Sequence, residues 1–155
     1  MTLQALDDLD RRILSQLQQD ASLTNQALAE CVHASAPTCL RRVRRLTELG
    51  IISKHVAILD TSKLGHALTA IIEVTLDVQS AERLEQFEST MQQESAVKQC
   101  YRVSTGPDFV LIAHVADMPA YHALVQHALT AHANVRNVRT FFSVHRSKFE
   151  TSILL

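Results

Sequence analysis

Residues 35–50 read Ser-Ala-Pro-Thr-Cys-Leu-Arg-Arg-Val-Arg-Arg-Leu-Thr-Glu-Leu-Gly. Ser35 suits the N-cap of a helix, Pro37 is tolerated in its first turn, and Gly50 fits just beyond its end. At about 100° per residue, Ala36, Cys39, Leu40, Val43, Leu46 and Leu49 form one apolar stripe. Arg41 and Arg45 then point away from the stripe, with Arg42 and Arg44 flanking them. A helix that buries one face and presents guanidinium groups on the other suits the major groove of DNA, where arginine bonds guanine bidentately or reaches phosphates. The competing reading is a solvated basic face on an ordinary helix, and the flanking sequence weighs against it.

Before this helix, residues 7–19 form a helical pattern. Asp7 or Asp8 can cap it, and Leu9, Ile13, Leu14 and Leu17 make its stripe. Asp20-Ala21-Ser22 breaks the pattern. Thr24 caps a short second helix in which Ala27, Leu28, Cys31 and Val32 pack inward. His33-Ala34-Ser35 is a three-residue turn into the arginine helix, without the glycine often found there. Three helices with a tight turn between the second and third form a helix-turn-helix unit. Ile51-Ile52 and Val56–Leu59 suggest a strand leaving it, and Asp60–Gly65 a junction.

The second half changes period. Residues 68–76 are β-branched and apolar and read as a strand. Residues 80–94 are helical, with Leu84, Phe87 and Met91 on one side. In 97–104, Val97, Gln99, Tyr101 and Val103 alternate against Lys98, Cys100, Arg102 and Ser104. Thr105–Asp108 is a turn, and 109–115 is a nearly continuous apolar strand. Asp117 caps a helix reaching His132, with Tyr121, Leu124, Val125, Ala128 and Leu129 inward, and 135–145 closes as a strand. The order β-α-β-β-α-β is the split, ferredoxin-like pattern, with both helices on one face of a four-stranded sheet. The fold class is α+β, a helix-turn-helix (winged-helix-like) domain joined to a ferredoxin-like domain. The expected boundaries are 1–52, a linker over 53–66, and 67–155.

The sheet has apolar residues on both faces: Phe109, Leu111 and Val115 against Val110 and Ile112, and Phe141 against Phe142. A monomer would expose one of those faces, so self-association through the sheet is expected. A symmetric dimer would bring two helix-turn-helix units together to read half-sites about 34 Å apart.

The chain has 155 residues and a net charge of −1, so any basic surface is local. It lies in residues 33–55, where Arg41, Arg42, Arg44, Arg45 and Lys54 face Glu48 alone. This asymmetry fits a DNA-binding module attached to a more acidic partner domain. The three cysteines, Cys31, Cys39 and Cys100, have no metal or redox spacing, and packing is the expected role of the first two. The eight histidines form no two-histidine helical metal pattern. Asp7, Asp8 and Asp10 argue against a signal peptide, and no apolar run approaches the roughly 20 residues of a membrane helix. The expected compartment is the cytoplasm, with no membrane partner, metal or cofactor.

In this order and spacing, Leu9-Asp10-Arg11-Arg12-Ile13-Leu14, Leu23-Thr24-Asn25, Leu28-Ala29, Cys39–Leu46, Gly50-Ile51-Ile52, Thr105–Phe109 and the tail from Lys148 to Leu155 resemble the Lrp/AsnC (feast/famine) family of transcriptional regulators. The resemblance covers essentially the whole chain. It implies an amino-acid-responsive binder of double-stranded DNA, with dimers assembling further, commonly to octamers. The effector would sit between neighbouring dimers, beside Thr105-Gly106-Pro107-Asp108. The chemistry of that turn agrees. Gly106 permits close backbone approach, Asp108 could pair with an α-amino group, and exposed N–H groups could hold a carboxylate. The alternative is a plain hairpin turn. Tyr101 and Ser104 are adjacent candidates; Thr140 and Ser143, by fold position, would complete the pocket from another subunit.

The candidate DNA contacts are Ser35, Thr38, Arg41, Arg42, Arg44, Arg45 and Lys54. Arg44 and Lys54 are assigned mainly to phosphates. Two features depart from the family pattern: Ala36, not proline, follows the capping serine, and Lys148-Phe149-Glu150-Thr151 replaces a lysine followed by paired threonines. Siroheme decarboxylases also look like this family in both halves, and the histidines keep such an enzyme as the alternative. A third reading gives the helix-turn-helix a protein partner.

Overall fold

Hydrophobic burial divides the chain into two units, Met1–Leu59 with Lys148–Leu155, and Asp60–Ser147. The computed structural model describes residues 6–60, 63, 68–131 and 134–155. Within the expected junction, Thr61, Ser62, Leu64 and Gly65 lie outside the described residues, as does His132.

In the first unit, α1 (Asp8–Gln19) starts at a reciprocal cap. Asp7 accepts the N–H of Asp10 at 2.9 Å, and the Asp10 carboxylate reaches back to the N–H of Asp7 at 3.3 Å. Thr24 caps α2 (Asn25–Cys31) and Ser35 caps α3 (Ala36–Glu48). Ile13, Leu14, Leu28, Ala29, Val32, Cys39 and Leu46 form the core between them. Ala29, not Cys31, completes the inner face of α2, and Cys31 is exposed. The packing role expected for both cysteines therefore holds only for Cys39.

Both helices of the helix-turn-helix end in the same way. After α3, Gly50 adopts φ +70°, its N–H donates to Thr47 O, and that of Ile51 donates to Leu46 O. This is a Schellman motif, which satisfies the last carbonyls of a helix. After α2 the pattern repeats, with His33 N–H donating to Glu30 O and Ala34 N–H to Ala29 O. Here His33 occupies the left-handed position, at φ 54°. The missing glycine thus changes the residue and leaves the turn's geometry intact. Asn25 Nδ2 donates to Ala36 O at 2.9 Å and ties the start of α2 to the start of α3.

Residues 53–59 belong to no helix or strand. The strand expected at Val56–Leu59 is therefore not formed. Its apolar side chains are exposed, and a strand requires a neighbouring backbone to complete its ladder. The tail, 148–155, packs with the first unit. Gln18 grips its backbone twice: Nε2 donates to Ile153 O at 3.1 Å, and Ile153 N–H donates to Oε1 at 2.6 Å.

The second unit contains β1 (Leu68–Leu76), α4 (Ala81–Gln93), β2 (Val97–Arg102), β3 (Phe109–Val115), α5 (Met118–Leu124) and β4 (Val135–Phe142). The strands form an antiparallel sheet in the order β2-β3-β1-β4. α5 widens at its end into a π-helical turn over Val125–Thr130, so the second helix is not the uniform α-helix expected. Ala70, Ile72, Val74 and Leu76 of β1 and Phe109, Leu111, Ala113 and Val115 of β3 face the helices, packed on Phe87, Met91, Leu124, Ala128 and Leu129.

Strict alternation fails in β2. Val97 pairs with Ala113, whereas Gln99 pairs with Ile112, so the register shifts at Lys98. A bulge there turns the strand by one position. Val97 and Cys100 therefore both pack on the helix-covered core, while Gln99 and Tyr101 align with Ile112 and Val110 on the other face. That open face also includes Ile71 and Phe141, paired in register, and Glu73 beside Arg139. Apolar residues on both sheet faces are thus confirmed.

Candidate DNA-binding and effector surfaces

The buried side of α3 is Cys39 and Leu46, both fully inaccessible. Leu40 and Leu49, counted in the apolar stripe, are 40% and 42% exposed. The buried face is thus rotated toward Arg42, and the outward face toward Pro37, Arg41, Arg44 and Glu48, all exposed. Of the four arginines, only Arg41 and Arg44 are fully outward.

Arg42 and Arg45 turn instead to α1. Arg42 Nη1 lies 2.6 Å from Asp7 Oδ2 and 3.1 Å from Asp10 Oδ1, and Arg45 Nη1 lies 3.1 Å from Asp10 Oδ2. Asp10 is completely buried. A buried carboxylate requires such partners, because an unpaired one would carry a large desolvation penalty. Hydrogen bonding to Asp7, then to Asp10, holds the charge on Arg42 more firmly, against the opposing effect of burial. Asp7 is pulled below its ordinary range, chiefly by the N–H of Asp10 and further by Arg42. Arg45 was expected to point directly away from the core and Arg42 to flank it; their acidic partners draw both toward α1.

The remaining candidates lie at the ends of α3. Ser35 Oγ caps Thr38 N–H at 3.4 Å and donates to Thr38 Oγ1 at 2.9 Å. Lys54 is exposed beyond Gly50. A helix start, two outward guanidinium groups and a lysine past the helix end are thus donors that the first unit offers to a partner. Asp10 was missed as a site residue, although its spacing from Ile13, Leu14 and Leu17 places a carboxylate on the apolar stripe of α1.

In the second unit, Thr105–Asp108 joins β2 to β3. Gly106 adopts φ +89° and has open space where a side chain would stand. Among the described residues, the N–H groups of Ser104, Thr105 and Gly106 have no backbone acceptor. These residues are exposed, and Pro107 is half-buried beside them. Asp108 is anchored: its Oδ2 accepts the N–H of Leu76 at 2.7 Å and Gln79 Nε2 at 3.3 Å, and its own N–H donates to Val74 O. Its carboxylate is thus partly committed to closing the end of β1. Tyr101 is 53% exposed on the open face, its hydroxyl donating to Gln99.

Thr140 and Ser143 are not brought to this turn within the chain. β4 is at the opposite edge of the sheet from β2. Thr140 pairs with Ile72, faces the helices and accepts the Tyr121 hydroxyl at 2.7 Å; Ser143 N–H donates to Thr69 O, toward the other end of β1. Among the described residues, no His, Cys, Asp and Glu side chains are grouped to hold a metal ion, and no helix is long and apolar enough to cross a membrane.

Residues 6–53 match the family model of a winged helix-turn-helix DNA-binding domain, and residues 69–153 that of the Lrp/AsnC ligand-binding domain. The chain is 40% identical over 153 residues to an HTH-type transcriptional regulator of Haemophilus influenzae, covering 99% of this chain and 91% of the relative. It is 39% identical to the leucine-responsive regulatory protein of Rhizobium meliloti, covering 92% of each. A transcriptional regulator of Neisseria meningitidis, solved as an L-Met complex, superposes with a TM-score of 0.87 at 30% identity, over 96% of both chains. An AsnC family regulator of Agrobacterium tumefaciens gives 0.86 at 32% identity, again over 96% of both. The chain belongs to the Lrp/AsnC family of transcriptional regulators, pairing a winged helix-turn-helix DNA-binding unit with a ligand-binding domain.

Proposed function

We propose that α3 enters the major groove with Arg41 and Arg44 reaching base edges or phosphates, Ser35 and Thr38 contacting DNA at the helix start, and Lys54 holding a phosphate. The observation that carries this is the outward pair Arg41 and Arg44, opposite the fully buried Cys39 and Leu46. Each phosphate neutralised releases counterions and adds about 0.9 to the slope of log affinity against log salt. Replacing a phosphate-binding residue flattens that slope for every sequence, whereas replacing a base reader relaxes preference at one position. Salt titrations of Arg41→Ala and Arg44→Ala on selected and mixed-sequence duplexes test this. Unchanged slopes and preferences in both would overturn it.

The effector is an amino acid, held through its carboxylate by the N–H groups of Ser104–Gly106. The free lone pairs of Asp108 face its amino group, and Tyr101 flanks it. The L-Met complex of the Neisseria relative supports the ligand class. The two strand residues, Thr140 and Ser143, join this pocket only from another subunit. Isothermal titration with the twenty amino acids is expected to show one saturable binder, lost in Gly106→Val. Absence of binding by every amino acid would remove the effector assignment and leave the turn structural.

The assembly is a homodimer through the open sheet face, where Ile71, Ile112 and Phe141 lie uncovered by helix, with further association to an octamer. Ile112→Arg tests it by sedimentation: a shift to monomer is expected, and an unchanged assembly would place the interface elsewhere. The protein acts as a regulator in the cytoplasm, where DNA and amino acids meet, rather than as a decarboxylase. Its curated relatives are named as regulators.

A further inference from the structure

Four arginines on one DNA-facing helix invite the assumption that all four meet DNA. The side chains do not support it. The Arg42 side chain is 21% exposed and shared between Asp7 and Asp10, and its Nε is buried with no acceptor. A guanidinium that leaves one buried donor unsatisfied is held by what its other donors touch. Arg42 is held by Asp7 at 2.6 Å together with Asp10, whose side chain is 1% exposed and whose two oxygens each reach an arginine from α3. Arg45 is fastened by one terminal nitrogen only, at 36% exposure, so it sits at the rim of the outward face.

We propose that Asp10 is a positioning residue for DNA recognition: together with Asp7 it withdraws Arg42 from the DNA-facing side of α3, and by itself it pins Arg45 at the rim, leaving Arg41 and Arg44 as the outward readers. This inference rests on the DNA-facing assignment of α3 above. The charge balance follows. Asp7 and Asp10 offset Arg42 and Arg45, so the helix meets DNA with two outward guanidinium groups instead of four. Limiting free arginines limits the sequence-independent phosphate attraction that otherwise dominates binding. A carboxylate far from any base thus raises the ratio of specific to non-specific affinity.

The test is the salt slope of affinity for a mixed-sequence duplex, measured on the full chain, alongside preference for its selected operator. Arg41→Ala and Arg44→Ala are expected to lower the slope by about one each per bound protomer. Arg42→Met, which keeps the apolar stem and removes the charge, is expected to leave the slope unchanged. Asp10→Asn is expected to raise it by about one as Arg45, held through Asp10 while Arg42 keeps Asp7, swings outward, and to lower operator preference several-fold. Adding Arg45→Met to Asp10→Asn is expected to restore the wild-type slope, a rescue that a purely structural role of Asp10 would not produce. If Asp10→Asn does not fold, Arg42→Met alone decides. A slope lowered as much as by Arg41→Ala would show Arg42 on a phosphate and overturn the inference. A folded Asp10→Asn with an unchanged slope would also overturn it. Unchanged slopes and unchanged operator preferences in both Arg41→Ala and Arg44→Ala would instead sink the underlying assignment of the helix face.

Discussion

Asp108 closes the far end of β1 by accepting the backbone N–H of Leu76 at 2.7 Å. Leu76 is 2% exposed, so water offers its N–H little compensation. Removing the acceptor leaves a buried donor unpaired, at a cost of about 1–3 kcal/mol. Asp108→Ala is therefore expected to lower Tm clearly, and Asp108→Asn, which keeps an acceptor oxygen, much less. If the carboxylate served an effector alone, both variants would melt like the wild type. Thermal melts without ligand separate the two roles.

His33 holds the left-handed position in a turn whose twin after α3 uses Gly50. That conformation crowds a β-carbon, so His33→Gly relieves strain while giving the unfolded chain more freedom. The expected net gain is about 0.5 kcal/mol, a Tm rise of about 1–2 °C for a protein of this size. A fall in Tm would show that the imidazole contributes more than the strain costs.

The Asp7 carboxyl titrates below its ordinary value of 3.8 in the folded protein. Its contribution to stability is complete above the unfolded value and is lost as pH falls through the folded one. Asn at this position still caps a helix but does not titrate. The Tm difference between wild type and Asp7→Asn is thus expected to shrink as pH drops from about 5 to about 3. A gap that holds constant would mean that neither the Asp10 N–H nor Arg42 favours the ionised carboxyl over the neutral one.

The three cysteines should react in order of access. Cys31 is exposed, Cys100 half-buried and Cys39 buried. Burial pushes the Cys39 thiol up, and burial followed by Glu88 does the same for Cys100. Because the thiolate is the reactive form, maleimide should label Cys31 first and Cys39 only on unfolding. Early labelling of Cys39 in the native protein would contradict the packing of α3.

Periodicity revealed the elements because each buries one face: Phe87 and Met91 on α4, or Ile72 and Val74 on β1, lie where spacing places them. It misjudged positions governed by a single long-range partner. Arg45 looked outward because a helical wheel cannot show the carboxylate 35 residues earlier. Val97 and Cys100 share a face only because a bulge at Lys98 resets the alternation, which no two-residue period reveals. Val56–Leu59 has strand composition, but pairing needs a second backbone that composition does not supply. The effector turn was legible as a turn, whereas the commitment of Asp108 to Leu76 depends on a contact across 32 positions.

The grip of Gln18 on Ile153 also bears on how far this regulator is modular. The compact unit that carries α3 is not a contiguous segment, because the chain leaves it at residue 59 and returns at 148. A fragment cut anywhere in the linker would carry α3 intact yet lose the tail beside Leu14, Leu17 and Ile51. Grafting only the leading segment onto another sensor would transplant an incomplete unit. A chimera built from this protein should therefore exchange both stretches together.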